Sequence, residues 1–291
     1  MLYTLKNQQL TVVVSDLGAE LHSVVGNGCE YIWIGDPDVW KFKAPLCFPF
    51  CGRFYEGKYT YDGVVYETPC HGFIRPSTFA VQEQTDTSIC LTLRESEETK
   101  KIYPFDFVLK VWYILEGNTL INRFDMENPD GERVLPITLG GHPGFNVPLA
   151  GEGEFTDYYL EFANPCSPDV FVMSENCLLT GKTAFYLEDG KRLRLRHDLF
   201  DHDAIFLCRT DTSVTLRSDK AKRSVTVKFD GGMPYLGVWH KPKVEAPYVC
   251  IEPWCGLPGH EGVMVDLATK PDMFRIEPKG SKTVAFSMIF E

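Results

Sequence analysis

Apolar residues recur at every second position along several segments of the chain, a period that favours strands over helices. Successive side chains of a strand point to opposite faces of a sheet, so a half-buried strand alternates apolar and polar residues. No stretch of about twelve residues carries the apolar stripe of an amphipathic helix. The clearest alternating residues are Ile89, Leu91 and Leu93, then Val225, Val227 and Phe229, then Val284, Phe286, Met288 and Phe290. The sequence therefore predicts an all-β protein.

Two hairpins are indicated by turn residues that separate segments of strand character. They join 107–115 to 120–127 through Glu116-Gly117-Asn118, and 213–217 to 224–229 through Asp219-Lys220-Ala221-Lys222. Short helical turns are expected only around 36–40 and 196–201.

The chain is predicted to form one large antiparallel β domain that spans residues 1–291. It has no low-complexity linker, sequence repeat or change of composition that would mark a domain boundary. Prolines and glycines occur throughout, at spacings typical of a many-stranded sandwich or barrel.

The formal net charge of −11 argues against two classes of partner. Nucleic acids and anionic membrane surfaces both prefer a basic face, so neither is expected as a partner. An anionic small substrate is not excluded, because the charge of a binding site is local. The first residues lack the pattern of a signal peptide, and no apolar run approaches the length of a membrane span. A cytoplasmic location is therefore expected.

The ten cysteines are expected to be reduced thiols, most of them buried as small apolar residues. Disulfides are rare in a chain of this length without a secretory signal. Cys47 and Cys51, or Cys250 and Cys255, lack the repeated close-pair spacing of a zinc site. No metal site is therefore expected from the cysteine pattern.

Two histidines lie in glycine-containing segments, where the backbone can approach a ligand closely. His142 lies in Gly140-Gly141-His142-Pro143-Gly144-Phe145-Asn146, a segment in which a central strand is not expected. His71 is followed directly by Gly72. Imidazoles exchange protons near neutral pH, so both histidines are candidates for acid–base chemistry. The alternative for each is a loop histidine that donates to a backbone carbonyl.

Glu252 follows an apolar segment that is expected to be a strand ending at Pro253. A carboxylate in apolar surroundings has a raised pKa unless it is hydrogen-bonded, and this is one way to make a general base. The alternative is an exposed glutamate, or one paired with a basic residue. Candidates for stacking on the apolar face of a sugar are Trp33, Trp40, Trp239 and Trp254. Most tryptophans are core residues, and only Trp254 gains support, because it is near Glu252.

Three further charged residues are candidates for substrate binding. Arg53 can donate two hydrogen bonds to a sugar or phosphate, and its alternative role is a structural salt bridge. Asp203 can accept from sugar hydroxyls, and capping of a turn explains it equally well. Arg75 lies four residues after His71, within the same segment.

Taken in order, these segments resemble the aldose 1-epimerase (galactose mutarotase) superfamily, and most of all its bacterial branch related to hexose-6-phosphate mutarotases. The ordered combination carries the resemblance rather than any one motif, and Leu17-Gly18-Ala19-Glu20-Leu21 also fits the family's opening hairpin. The matching motifs are Pro49-Phe50-Cys51-Gly52-Arg53, His71-Gly72-Phe73-Ile74-Arg75, Gly140-Gly141-His142-Pro143-Gly144-Phe145, Asp203-Ala204-Ile205-Phe206 and Cys250-Ile251-Glu252-Pro253-Trp254.

The resemblance implies a large antiparallel β-sandwich of the galactose mutarotase-like supersandwich type. Its site would lie in a cleft on one sheet, with neither a metal nor an organic cofactor. Glu252 would be the general base and His142 the general acid. His71 would bind and polarise near the ring oxygen, while Arg53 and Asp203 would hold sugar oxygens.

The implied reaction interconverts the α and β anomers of an aldose by opening and closing the sugar ring. Arg75 matches the basic residue that follows the histidine in the phosphate-sugar branch, which permits a phosphorylated substrate without requiring one. A small-molecule sugar is thus the expected partner, and a monomer or homodimer is expected.

Two alternative functions remain open. Glycoside hydrolysis would use Glu252 and Asp203 as its pair of carboxylates, and it would leave both histidines without a role. A sugar-binding or sugar-sensing protein would keep the fold without turnover.

Overall fold

The computed structural model describes residues 1–291, and strands dominate it. The first half of the chain contains β1 (Leu2–Lys6), β2 (Leu10–Ser15), β3 (Leu21–Gly26), β4 (Cys29–Glu30), β5 (Leu46–Cys47), β6 (Lys58–Tyr61), β7 (Val64–Glu67), β8 (Ala80–Gln84), β9 (Ser88–Arg94), β10 (Val108–Glu116), β11 (Thr119–Glu127), β12 (Leu135–Ile137), β13 (Gly140–Gly141) and β14 (Gly144–Asn146). The second half contains β15 (Tyr158–Phe162), β16 (Asp169–Met173), β17 (Leu179–Ala184), β18 (Arg192–Arg194), β19 (Ile205–Cys208), β20 (Ser213–Ser218), β21 (Val225–Phe229), β22 (Tyr235–Trp239), β23 (Tyr248–Trp254), β24 (Val265–Asp266), β25 (Phe274–Ile276) and β26 (Ser281–Phe290).

The helices are short. The single α-helix, α1, spans Glu97–Ile102 and has no buried residue. Short 3₁₀ turns lie at Tyr55–Gly57, Leu149–Gly151, Phe155–Asp157 and His197–Phe200. No helix is long and apolar enough to cross a membrane.

Two large sheets form the body of the fold. A nine-stranded sheet has the order β18-β15-β20-β21-β26-β11-β10-β9-β8. An eight-stranded sheet has the order β17-β16-β19-β22-β23-β13-β5, with β14 also paired to β23. All pairings within these two sheets are antiparallel. Smaller sheets contain β1 to β4, then β24, β6 and β7, and finally β12 and β25.

The two large sheets pack against each other through one hydrophobic core of 67 buried residues. Gly141 of β13 lies directly against Phe286 of β26, and a side chain built at Gly141 would meet the Phe286 ring at 2.5 Å. The eight-stranded sheet therefore presents one face to the core, and its other face is available for a site.

The alternating patterns predict the observed strands. Val225, Val227 and Phe229 of β21 are buried, and so are the four apolar residues of β26 from Val284 to Phe290. Both predicted hairpins are confirmed: β10 pairs with β11 across Gly117 and Asn118, and β20 pairs with β21. The short helical turn expected around 196–201 is the 3₁₀ turn at His197–Phe200. Around 36–40 the chain forms only a turn.

Helix α1 was not predicted, because it has no buried face to leave a periodic signal. A capping box at its first turn stabilises it instead. The Thr99 N–H donates to the side chain of Ser96, and the Ser96 N–H donates to the side chain of Thr99.

The expectation that the strand before Glu252 ends at Pro253 is wrong, since β23 continues to Trp254. The N–H groups of Ile251 and Cys255 donate to the carbonyls of Pro143 and Leu139 on the neighbouring segment. In this register, position 253 would donate to Gly141, next to a break in the neighbouring strand. Pro253 has no N–H to donate, and the break accommodates it.

The segment 140–146 was also expected to lie outside a central strand, and this is wrong in part. Gly140 and Gly141 form β13, and β14 starts at Gly144, so both sides of the segment pair with β23. His142 and Pro143 alone interrupt the ladder. Gly141 faces Phe286 in the core, so by strand alternation the His142 side chain faces the other side of the sheet.

We expect Gly140→Ala to destabilise the fold by about 1–3 kcal/mol, as overpacking in a core does. A methyl group at this position would lie 2.2 Å from Cδ1 of Trp254, whose indole is held in place by a hydrogen bond from Nε1 to the Gly141 carbonyl. Urea unfolding measures the effect. Gly181→Ala is the control, since no atom lies within 4 Å of its added methyl group. Equal stability of the two variants would contradict this account of the Gly140–Trp254 contact.

Candidate functional site

A cavity of about 340 Å³ lies on the eight-stranded sheet, and all seven predicted site residues line it. Its volume is within the range typical of small-molecule sites. The seven residues come from segments far apart in the chain, namely Arg53, His71, Arg75, His142, Asp203, Glu252 and Trp254. The structure therefore brings the predicted residues together, while their chemical roles stay predictions.

Glu252 and His142 face each other at the bottom of this cavity. Nε2 of His142 lies 3.4 Å from Oε2 of Glu252, and both side chains are almost completely buried. Neither carboxylate oxygen of Glu252 has a hydrogen-bond partner, and Nδ1 of His142 has none. Buried polar groups are normally bonded, so these three atoms are available for a polar ligand.

Burial moves the pKa values of this pair in opposite directions. It raises the pKa of Glu252 well above its ordinary value; the nearby Asp203 adds to the rise, and Arg75 opposes it. Burial lowers the pKa of His142 well below its ordinary value, and Arg75 adds to the decrease. The protein environment thus favours a protonated carboxyl beside a neutral imidazole.

His71 is held in one tautomer by its surroundings. The Gly52 N–H donates to Nδ1 of His71 at 3.1 Å, and Sγ of Cys47 lies 3.0 Å from the same nitrogen. Because Nδ1 accepts from a backbone N–H, the ring proton is on Nε2. Burial first, and then Arg75, lowers the pKa of His71. His71 therefore offers the cavity a neutral N–H donor and not an acid.

Two arginines extend along the cavity. Nε of Arg75 is buried without a partner, and its guanidinium lies over the Phe42 ring at 4.6 Å. Arg53 is exposed at the cavity wall, and its side chain makes no hydrogen bond or ion pair within the protein. The structural salt bridge considered for Arg53 is therefore not formed.

Asp203 is fixed by contacts outside its own segment. Nε1 of Trp239 donates to Oδ1 of Asp203 at 2.9 Å. Burial and the neighbouring Asp203 carboxylate raise the pKa of Cys177 to about 12. The backbone of Asp203 is in the left-handed region, with φ of 81°. The turn and its side-chain bonds together aim the carboxylate along the cavity wall.

Trp254 forms part of the cavity floor. It is 1% exposed, and its Nε1 donates to the Gly141 carbonyl at 3.1 Å. An N–H group at position 253 would have donated to this carbonyl in the strand ladder. The indole N–H therefore satisfies the acceptor that Pro253 cannot, and the role of Trp254 as a sugar-stacking surface remains a prediction.

Two of the candidate stacking tryptophans, Trp40 and Trp239, also line the cavity, as do two residues that were not predicted from the sequence. Trp40 stacks near His142, with ring centroids 5.1 Å apart, and Trp239 contacts both of them. Lys241 and Cys177 also line the cavity. The tryptophans carried no local signal that separates a cavity wall from a core. The potential metal-ligand atoms of His142, Cys250 and Glu252 lie within 4.8 Å of one another.

Comparison with known proteins gives a consistent family. The sequence profile of the family described as aldose 1-epimerase matches residues 1–265. The plasmid-encoded protein LacX of Lactococcus lactis subsp. lactis is 35% identical over an alignment of 295 positions. The alignment covers 96% of this chain and 95% of LacX.

Solved structures show the same fold. A galactose mutarotase related enzyme from Lactobacillus acidophilus superimposes with a TM-score of 0.93 at 33% identity, covering 100% of this chain and 97% of that one. A galactose mutarotase-like protein from Lactobacillus casei gives a TM-score of 0.92 at 29% identity, with 100% of both chains covered. The predicted all-β architecture, of the galactose mutarotase-like type, is confirmed.

We expect Glu252→Gln to change how stability depends on pH. The pKa of Glu252 is higher in the folded than in the unfolded chain, so its contribution to stability is full below the unfolded value of 4.5 and is lost as pH rises through the folded value. Relative to the variant, wild type should lose up to about 1.4 kcal/mol of unfolding free energy per pH unit in that window. Urea unfolding at several pH values between about 5 and 8 measures it.

Glu116→Gln is the control for this comparison, because Glu116 is exposed at the end of β10. Its stability should follow that of wild type at every pH. Parallel curves for wild type and Glu252→Gln would show that the buried carboxyl has an ordinary pKa.

Proposed function

The chain belongs to the aldose 1-epimerase family, and on that premise we propose that it interconverts the α and β anomers of an aldose or sugar phosphate. The observation that carries the proposal is the buried Glu252–His142 pair, 3.4 Å apart, in a cavity with unpartnered polar atoms. Anomer exchange needs one group that removes a proton and one that donates a proton, both within reach of the same sugar.

One proton shared by Glu252 and His142 is sufficient for this reaction. A protonated carboxyl beside a neutral imidazole holds the same proton as a carboxylate beside an imidazolium. Sugar hydroxyls that donate to Glu252 favour its carboxylate, which places the proton on His142. The carboxylate then removes the proton of the C1 hydroxyl, while His142 protonates the ring oxygen.

The ring bond between C1 and that oxygen breaks to give an aldehyde, and the C1–C2 bond rotates. Closure on the other face returns both protons, so the site ends as it began. A positioned acid and a positioned base each contribute typically about 10²–10⁴-fold to the rate. This scale suits a reaction that also proceeds unaided in water.

His71 has a different role from His142 in this proposal. Its Nδ1 already accepts from the Gly52 N–H, so only the Nε2 proton is available to the sugar. A neutral N–H donor near the ring oxygen polarises it without competing for the transferred proton. Arg53 and Asp203 hold other sugar oxygens and leave the anomeric oxygen free to occupy either position.

The charges of the cavity support a sugar phosphate as one of the candidate substrates. Arg53, Arg75 and Lys241 line it, and none of the three forms an ion pair with a carboxylate. The protein as a whole carries a net charge of −11, so unpaired cations in a cavity are a local feature. Guanidinium groups bind phosphate oxygens well, and neutral sugars also accept from them.

The arrangement gives less support to glycoside hydrolysis. That reaction needs two carboxylates placed across one glycosidic bond. Here Glu252 faces a histidine, and Oδ1 of Asp203 already accepts from Trp239. Measurement of the mutarotation rate distinguishes an enzyme from a binding protein without turnover.

We expect wild type to accelerate the mutarotation of freshly dissolved α-D-glucose, α-D-galactose or one of their 6-phosphates. Proton NMR of the anomeric signals in a weakly catalysing buffer follows the reaction. Glu252→Gln should lower kcat by at least about 100-fold, because the base is lost. His142→Asn should lower kcat sharply with a modest loss of binding.

Glu116→Gln, which replaces an exposed glutamate of the other sheet, is the matched control and should retain the wild-type rate. Near-normal activity of Glu252→Gln would remove its assignment as the base. Sugar binding without any acceleration by wild type would replace the enzyme with a binding protein.

We expect Trp239→Phe to raise KM at least about tenfold with a smaller change in kcat. The phenyl ring keeps the wall of the cavity, but the bond from Nε1 to Asp203 is lost. Hydrogen bonds to charged groups contribute about 1.5–3 kcal/mol, and 1.4 kcal/mol is tenfold in affinity. Steady-state mutarotation with the preferred sugar measures both constants.

Trp112→Phe is the matched control, since Nε1 of Trp112 donates to Asp125 at the same distance of 2.9 Å on the other large sheet. Its KM should equal that of wild type. If Trp239→Phe also leaves KM unchanged, Asp203 does not depend on this bond for sugar binding.

A further inference from the structure

Two residues that line the cavity, His142 and Glu252, form with the buried Cys250 a cluster that has the composition of a site for a thiophilic metal ion. The ligand atoms of His142, Cys250 and Glu252 all lie within 4.8 Å of one another, and all three residues are buried. Cys250 and Glu252 are two residues apart on β23, so their side chains leave the same face of the sheet. His142 lies at the break in the neighbouring strand, and its Nε2 is 3.4 Å from Oε2 of Glu252.

The polar atoms of this cluster are not used by the protein itself. Both carboxylate oxygens of Glu252 are buried without a hydrogen-bond partner, and Nε2 of His142, the ring nitrogen that faces them, makes no hydrogen bond within the protein. Glu252 is 1% exposed and Cys250 is completely buried. Buried ionisable groups are usually paired with one another or coordinated to a metal, so the cluster has unused capacity for a cation.

The ligand set favours zinc-like ions over magnesium or calcium. A thiolate and an imidazole are soft or borderline ligands, whereas magnesium and calcium prefer oxygen ligands alone. Three protein ligands with a fourth position open to a cavity is an arrangement in which zinc binds exchangeable molecules. One thiolate and one carboxylate also balance the charge of a divalent ion in a buried place.

The distances require only a small adjustment. Zinc lies about 2.0–2.3 Å from such ligands, which places the ligand atoms of one tetrahedral ion about 3.3–3.6 Å apart. The pair His142–Glu252 already meets this at 3.4 Å. The remaining separations are at most 4.8 Å, so binding requires the ligand atoms to approach one another by up to about 1.5 Å.

We propose that His142, Cys250 and Glu252 bind a zinc-like divalent ion and that this ion and the sugar exclude each other. Binding replaces two protons, that of the Cys250 thiol and the one shared by Glu252 and His142, and both pass to the buffer. It also occupies the carboxylate and the imidazole that exchange protons with the sugar. The metal is therefore an inhibitor of the reaction, an effect that rests on the proposed function; the metal site itself does not.

Cobalt(II) is the probe for the site, because it substitutes for zinc and its bond to a thiolate absorbs in the near ultraviolet. We expect one tightly bound cobalt ion per chain, with a thiolate band that zinc abolishes by displacement. Cys250→Ala should weaken binding at least about tenfold and remove the band, since even outer partners of a metal site contribute about 10–100-fold. Cys250→Ser serves the same purpose if the alanine variant is unstable.

Cys177→Ala controls for the other thiols, since Cys177 lines the cavity but is not in the cluster. It should bind cobalt as wild type does. The metal site is overturned if no thiolate band forms, or if the band survives in both Cys250 variants.

The exclusion of sugar by metal is tested in two ways. Zinc should slow mutarotation, a chelator should restore the rate, and a higher sugar concentration should raise the zinc concentration needed for half inhibition. Added sugar should also displace cobalt and reduce the thiolate band, whether or not the protein has mutarotase activity.

Cobalt binding that sugar leaves unchanged overturns the exclusion. A protein that turns over none of the sugars, yet gives the cobalt band and loses it on addition of sugar, overturns the proposed function and keeps the site.

Discussion

The interruption of one strand opposite Pro253 is the constraint on which the cavity depends. In the eight-stranded sheet, β13 and β14 pair one after the other with the same side of β23, and the chain leaves the ladder between them at His142 and Pro143. Pro253 has no N–H for the neighbouring strand, and the Gly141 carbonyl accepts from the Trp254 indole instead. Two features that normally end strands thus face each other at one point. The sheet continues on both sides, and the histidine at the break is free to face Glu252.

This arrangement leaves the buried carboxyl of Glu252 without a hydrogen bond. Glu252 lies at the centre of a sheet, where an apolar residue would be more stable, and its oxygens have no partner in the protein. The surrounding sheets hold it in place because their shared core is large and continuous. Such uncompensated groups are typical of sites where a ligand supplies the missing bonds. The same capacity suits either the hydroxyls of a sugar or a metal ion, which is why the two are proposed to compete.

Local hydrogen bonds distinguish the two histidines of the cavity. Both are buried and both have a lowered pKa, so burial alone does not separate their roles. A backbone N–H occupies one nitrogen of His71 and leaves it a fixed donor. His142 has no such bond and contacts the carboxyl with which a proton can be shared. The difference arises from Gly52, which lies 19 residues before His71 in the sequence but donates its N–H to the His71 ring.

The sequence by itself determined the class of fold, the hairpins and the set of segments that carry the site. Alternation of apolar residues is a local property, so β21 and β26 are readable from residues such as Val225 and Met288 without knowledge of their neighbours. The glycine-flanked histidines and the glutamate before proline are likewise recognisable as candidate site residues from their sequence neighbours alone. Only the tertiary structure decided that β23 runs through Pro253, that Trp239 fixes Asp203, and that Arg53 is unpaired. These depend on the order of strands in the sheet, which brings together residues far apart in the chain, and no local pattern encodes that order.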